Sequence, residues 1–184
     1  VYIMLLLHTL LLAVLPLLCT ASSSTAPTCP ISPLTDVDLT KVGGTWYAVR
    51  GIEHSRGRPT TRQRNNKSCP VITLSLRDST HVVFSYDSRN GSEPRQYNLT
   101  VKDPALPSVW TTEKGTKKHV PFGKLQVNDI TEGTMALTMC GNQRLATVIL
   151  SREKRFDSAA VEGITQRLSG KGLTSARSFD RCKT

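Results

Sequence analysis

Eight short segments of β-forming residues follow one another along the chain, and turn-forming residues separate them. Asn90-Gly91, Asp103-Pro104 and similar pairs mark the turns, since Gly and Asn adopt turn conformations readily and Pro lacks a backbone donor. Strands joined by short turns pair with their neighbours, so the pattern predicts an all-β, antiparallel up-and-down barrel; a sandwich of two sheets is the alternative. The predicted strands are residues 45–52, 70–77, 80–87, 95–102, 108–113, 122–128, 133–140 and 143–151.

A tryptophan opens the first of these strands, directly after a pair of glycines. The indole of Trp46 is large enough to fill the bottom of a small barrel, and Gly44, which has no Cβ, lets the chain bend tightly into the strand. Arg152 follows the last predicted strand, and its guanidinium can stack on the indole. Together the three residues predict a barrel floor that seals one end.

Two helical segments flank the strands. A short helical turn is predicted over residues 35–39, capped by Thr35 or Asp36. Between residues 157 and 168 apolar side chains recur at helical spacing, which predicts one amphipathic helix that packs its apolar stripe against the barrel. A short extended segment over residues 176–179 follows.

The first residues of the chain are almost wholly apolar, and residues 1–18 contain no Lys, Arg, Asp or Glu. A run of small polar residues over 20–24 ends this stretch, which predicts a signal peptide over residues 1–21 and a single domain over residues 22–184. Residue 1 is Val and no basic segment precedes the apolar one, so we expect the signal peptide to be incomplete at its N-terminus. No other segment is apolar and long enough for a transmembrane span, and we expect a secreted, extracellular protein.

One of the five cysteines, Cys19, lies in the predicted signal peptide. The other four predict two disulfides in an exported protein, with three pairings open. They are Cys29, Cys69, Cys140 and Cys182. No Cys or His cluster has the spacing of a metal site, so we expect no metal and no cofactor. Three sequons predict N-glycosylation, at Asn66, Asn90 and Asn98.

The formal net charge of +10 attracts anionic partners. Only 5% of the residues are aromatic and the Lys and Arg residues are scattered, so nucleic-acid binding is not expected. A membrane surface or a receptor remains open as a partner, and the sequence does not determine the oligomeric state.

With these features the chain resembles the lipocalins, most closely the group of apolipoprotein D and the insect bilin-binding proteins. Gly44-x-Trp46 matches the first family motif and residues 149–152 match the third. The resemblance implies an eight-stranded barrel with one C-terminal α-helix, and the disulfides Cys29–Cys140 and Cys69–Cys182. The second motif, Thr-Asp-Tyr, is altered, because Asp129 is kept and the Tyr is lost.

The resemblance also implies that the barrel interior binds a small hydrophobic ligand, such as a fatty acid, sterol, retinoid or pigment, which the protein carries or sequesters. If Trp46 points inward, period two places Ala48 and Arg50 inward as well. Arg50 is then either a counter-charge for an anionic ligand, which the basic composition favours, or a rim side chain that reaches water.

The third and later strands supply further candidates for the pocket. Those of the third strand are Val82, Phe84 and Tyr86. Trp110 is expected at the pocket mouth or in its wall. The alternating residues of the seventh strand either line the pocket or lie beneath the helix; they are Met135, Leu137 and Met139.

Enzymatic activity is not expected. One lipocalin lineage isomerises prostaglandins with a thiol on the second strand, but the corresponding Cys69 is expected in a disulfide, which cannot supply a thiolate. Nothing in the sequence indicates a haem ligand among the histidines considered, His54, His81 and His119. The alternative function is that of a lipocalin that binds a protein or polyanion through its basic loop over residues 53–67.

Overall fold

The computed structural model describes residues 29–55, 69–113, 122–141 and 144–182, and within these ranges the chain forms nine strands and two helices. The strands are β1 (Gly44–His54), β2 (Val71–Leu76), β3 (His81–Asp87), β4 (Arg95–Val101), β5 (Val109–Thr112), β6 (Lys124–Ile130), β7 (Thr134–Gly141), β8 (Arg144–Ser151) and β9 (Ser175–Asp180). The helices are α1 (Leu39–Val42) and α2 (Ser158–Gly170). The eight predicted strands and the late helix are confirmed.

The first helix lies later in the chain than the sequence pattern predicted. Asp38, and neither Thr35 nor Asp36, caps α1, and its carboxylate accepts a hydrogen bond from the Thr40 amide at 3.0 Å. The predicted cap was wrong because three acidic or hydroxyl residues stand close together, and each can start a helix.

The strands form one antiparallel sheet in the order β2-β3-β4-β5-β6-β7-β8-β1-β9, and a further pairing of β1 with β2 closes it. The first eight strands therefore form a closed barrel, which has no free sheet edge. This closure excludes the sandwich alternative.

Strand β1 has two successive neighbours on the side away from β8. Residues 44–47 pair with β2, and residues 50–54 pair with β9. Between Ala48 and Arg50 the pairing of β1 with β8 shifts its register. Such a bulge inserts one extra residue and thereby breaks the simple alternation of side chains between the two faces.

Apolar side chains form two cores, one on each face of the barrel wall. The inner core includes Trp46, Leu74, Leu99, Leu125, Leu137 and Leu150. The outer core joins Val49, Ile52 and Ile149 of the wall to Val161, Ile164 and Leu168 of α2. The helix thus packs its apolar stripe against the barrel, as predicted.

Both disulfides implied by the resemblance are present, Cys29–Cys140 and Cys69–Cys182. The first ties the segment before α1 to β7, and the second ties the segment after β9 to the residues just before β2. The bonded residues are 111 and 113 positions apart, and closing a loop of this length stabilises a fold by about 4 to 5 kcal/mol in the chain-entropy model.

Candidate functional site

One end of the barrel is sealed by Trp46 and Arg152. The Trp46 side chain is fully buried, and its Nε1 donates to the Val42 carbonyl at 2.9 Å. The Arg152 guanidinium carbon lies 3.5 Å from the centroid of the indole, at stacking distance. The predicted floor is therefore confirmed.

The Arg152 guanidinium also holds the backbone that enters β1. It donates to the carbonyls of Lys41 at 2.8 Å, Gly43 at 2.7 Å and Thr45 at 3.2 Å. Burial lowers the pKa of this guanidinium. Gly44 has a φ of +100°, and a Cβ at this position would lie 2.9 Å from Arg152 Nη1. Glycine is thus required both by the backbone conformation and by the close approach of the arginine.

The inner wall of the barrel is apolar. Ala48, Val82 and Phe84 point into the inner core as predicted, and Tyr86 packs against it while remaining half-buried. Phe84 forms a cluster with Tyr97 and Phe122, with ring centroids 5.4 to 6.1 Å apart. These are the distances at which aromatic pairs attract one another.

Inner-wall side chains near Trp46 are fully buried, and two at the opposite end of the barrel are half-buried. Trp46, Met135 and Leu150, near the floor, are 0% exposed. Tyr86 and Met139 stand near the far ends of β3 and β7, and both are half-buried. The floor end is thus closed by Trp46 and Arg152, and we call the opposite end of the barrel the mouth.

Arg50 was predicted to point into the barrel, and this prediction was wrong. Its guanidinium lies on the outer side of the wall, where it donates to Asp180 of β9 at 2.8 Å and to Glu162 of α2 at 2.9 Å. Burial alone would lower the pKa of Arg50, but the hydrogen bonds to these carboxylates raise it. The bulge after Ala48 breaks the period-two count and sends Arg50 outward.

Trp110 lies in the wall near the floor and not at the mouth. It is fully buried in the inner core, and its Nε1 donates to the Pro107 carbonyl at 2.9 Å. The seventh-strand residues Met135, Leu137 and Met139 line or flank the inner core, which decides between the two alternatives that the sequence left open.

The outer wall carries a buried hydrogen-bond chain. His54 is 2% exposed; its Nδ1 lies 3.4 Å from the Thr174 carbonyl and its Nε2 lies 2.7 Å from Thr147 Oγ1. Thr138 Oγ1 lies 2.7 Å from Thr147 Oγ1. Because a carbonyl only accepts, His54 Nδ1 carries the proton, and Nε2 accepts from the Thr147 hydroxyl, which in turn accepts from Thr138. Burial lowers the pKa of His54, since the charged ring would lose its hydration.

The end of β6 helps to attach α2 to the barrel. Asp129 accepts two hydrogen bonds from Arg167 of α2, at 2.6 and 3.2 Å, and these bonds raise the pKa of Arg167. Lys171 donates to the Asn128 carbonyl at 2.8 Å. The sequence offered no signal for the Arg167 partnership, because helical spacing identifies only the apolar stripe.

A groove of about 650 Å³ lies on the outer side of the floor. Asp36, Asp38 and Glu132 line it together with Lys41 and Arg152. Its mixed charges and its position behind Trp46 distinguish it from the apolar interior.

Of the remaining sites predicted from the sequence, some lie within the described residues and others lie outside them. Cys69 is in a disulfide and has no thiol, and among the described residues no cluster of three or more His, Cys, Asp or Glu could hold a metal ion. Asn90 is exposed in the turn after β3 and Asn98 is half-buried in β4, so glycosylation there stays a prediction. The signal peptide, Asn66 and most of the basic loop lie outside the described residues. Within the described ranges, no helix is both long and apolar enough to cross a membrane.

A comparison with protein-family models found no match to this chain, and neither did a comparison with curated proteins. The function must therefore follow from the barrel, its sealed floor and its mouth.

Proposed function

We propose that this chain is an extracellular lipocalin-type protein that carries or sequesters one small hydrophobic ligand in its barrel. The observation that carries the proposal is the apolar inner wall of a closed barrel, which is sealed at the Trp46 end and has half-buried side chains, Tyr86 and Met139, at the mouth. A pocket with one closed end surrounds a small molecule on most sides, which is how proteins bury the greater part of a ligand's surface.

The energy of such binding comes from apolar burial. When a ligand buries about 400 Å² of apolar surface away from water, the binding free energy gains roughly 10 kcal/mol, at about 25 cal/mol per Å². Lost translation, rotation and side-chain freedom offset several kcal/mol of this gain, so we expect dissociation constants in the micromolar range.

The chemistry of the wall near the mouth favours ligands with flat or extended hydrocarbon parts. Phe84, Tyr97 and Phe122 present aromatic edges and faces, and Met139 adds a flexible side chain that adapts to different shapes. Fatty acids, sterols and retinoids have this character.

The extracellular part of the proposal is supported by the two disulfides, which persist in oxidising compartments. The same bonds leave Cys69 without nucleophilic character. We therefore propose a binding protein and not an enzyme.

The test uses two variants in which the same change, Val to Phe, is made on opposite faces of the barrel wall. Val148→Phe adds a ring on the inner face, whereas Val83→Phe adds the same ring on the outer face of β3, where Val83 stands opposite Ser75 and Asn98. Decanoate, retinol and cholesterol are titrated into each protein by calorimetry.

We expect the wild type to bind at least one of these ligands with a stoichiometry near one. Val148→Phe should weaken binding by about tenfold, since a clash of about 1.4 kcal/mol is enough for that change, and Val83→Phe should leave it unchanged. If no ligand binds the wild type, or if both variants weaken binding equally, the interior is not the binding site. Thermal unfolding of both variants confirms that they fold.

A further inference from the structure

The inner face of the sheet continues past the barrel onto β9. Gly51 of β1 stands opposite Val148 of β8 on one side and Phe179 of β9 on the other. Val148 belongs to the inner core. Residues directly opposite one another in a sheet share a face, so Phe179 lies on the face that lines the barrel.

Two arginines surround the Phe179 ring. The guanidinium carbon of Arg181 lies 5.1 Å from the ring centroid and that of Arg177 lies 5.5 Å from it, which is within cation–π range. A Cβ on Gly51 would lie 2.6 Å from the ring and 3.0 Å from Arg181 Nε, so both side chains occupy the space above this glycine. Gly51 follows Trp46 along β1 by five residues, or about 17 Å of extended chain, which places this arginine pair towards the mouth.

Within the described ranges, neither guanidinium forms an ion pair or donates a hydrogen bond. The Nε of Arg181 is buried and has no hydrogen-bond partner. Arg50 on the opposite face binds two carboxylates, and Arg167 on α2 binds one. A buried donor without an acceptor is costly, and two cations beside one ring repel each other. An anion between them removes both costs.

The arginine pair is held in place by its surroundings. The Arg181 amide donates to the Val49 carbonyl at 2.8 Å, and the next residue, Cys182, is bonded to Cys69. The backbone under the pair is thus fixed before any ligand arrives, which reduces the entropy cost of binding. Glu53 stands opposite Arg177 in the register. Its one carboxylate offsets part of the charge of the two guanidinium groups, and the formal charge of the group stays positive.

We propose that Arg177 and Arg181 form an oxyanion site at the mouth, which binds the carboxylate of an amphipathic ligand whose apolar part lies in the barrel. This inference rests on the proposed function for the apolar part of the ligand. Planar guanidinium groups match carboxylate geometry and bind it with charge-assisted hydrogen bonds.

The test compares decanoate with 1-decanol, which have the same chain and differ in the charge of the head. Both are titrated into the full protein and into two double variants, R177Q/R181Q and the charge-matched control R77Q/R155Q. Arg77, between β2 and β3, and Arg155, after β8, are exposed away from the mouth, and like the arginine pair they contribute two positive charges. Inorganic phosphate is added separately, while NMR follows the Nε–H signals of Arg177 and Arg181.

We expect decanoate to bind the wild type and the control about tenfold more tightly than 1-decanol, and R177Q/R181Q to lose this preference with its 1-decanol affinity unchanged. We also expect phosphate to shift both Nε–H signals to saturation, whereas chloride does not. Equal binding of decanoate and 1-decanol to the wild type, or a preference that survives in R177Q/R181Q, would overturn the oxyanion site and leave the carrier function standing.

If neither compound binds, retinol and cholesterol decide the proposed function, and the phosphate titration decides the anion site by itself. A saturable shift then supports a site for free oxyanions. Unchanged signals overturn it.

Discussion

Arg152 is the residue whose removal most directly tests how the barrel floor is held. In Arg152→Ala the guanidinium no longer stacks on Trp46 and no longer donates to the carbonyls of Lys41, Gly43 and Thr45. Each hydrogen bond contributes about 0.5 to 1 kcal/mol here, because the side chain is partly exposed and water can replace it. The stacked cation adds about 0.5 to 1 kcal/mol. The expected loss in the free energy of unfolding is therefore about 2 to 4 kcal/mol.

The assay is equilibrium unfolding in urea with the disulfides intact, followed by circular dichroism. Arg152→Lys keeps the charge but not the planar stack or the forked donors, so it should recover less than half of the loss. Arg155→Ala, an exposed arginine three positions further on, is the control and should change stability by less than about 0.5 kcal/mol. An Arg152→Ala protein as stable as the control would refute the role assigned to this contact.

Three further predictions concern the wall and its attachments. Gly51→Ala should lower the free energy of unfolding by about 1 to 3 kcal/mol, because its Cβ meets the Phe179 ring at 2.6 Å; urea unfolding measures this, and Gly51→Ala/Phe179→Ala should recover part of the loss. His54 has a pKa lowered from its ordinary value of 6.5, so below that pH the unfolded chain binds a proton that the folded chain does not. Stability should consequently fall as the pH drops from about 7 through the folded-state pKa, and His54→Gln should show a flatter pH profile between pH 7 and 5.5; parallel profiles would contradict this. Replacing Cys69 and Cys182 by Ser should cost about 4 to 5 kcal/mol in urea unfolding, and a loss below about 1 kcal/mol would show that the tail tether does not stabilise the barrel.

The sequence predicted the features that depend on local pattern. Alternating residues and turn pairs located the eight barrel strands, and helical spacing located α2. Trp46 and Arg152 were assigned to the floor because a large indole at the start of a strand can fill the end of a small barrel, and a guanidinium after the last strand can stack on it. The disulfide pairing followed from the resemblance and not from spacing.

The errors arose where a residue depends on a distant partner. Arg50 was counted inward because nothing local marks the bulge after Ala48, where β1 leaves β2 and begins to pair with β9. For Trp110 the sequence left the mouth and the wall open, because the barrel end that it occupies depends on the tilt of all the strands; the structure places it in the wall. The arginine pair was not identified, because Arg177 and Arg181 acquire their common neighbour, Gly51, only through the pairing of β9 with β1.

A carrier of the proposed kind holds a small hydrophobic molecule inside its barrel. Native mass spectrometry of the secreted protein, after removal of any glycans, measures whether a small molecule is bound, and organic extraction identifies it. We expect one hydrophobic compound per barrel, lost on unfolding and retained less well by Val148→Phe than by Val83→Phe. An empty barrel that also takes up no fatty acid, sterol or retinoid from a saturated mixture would contradict it.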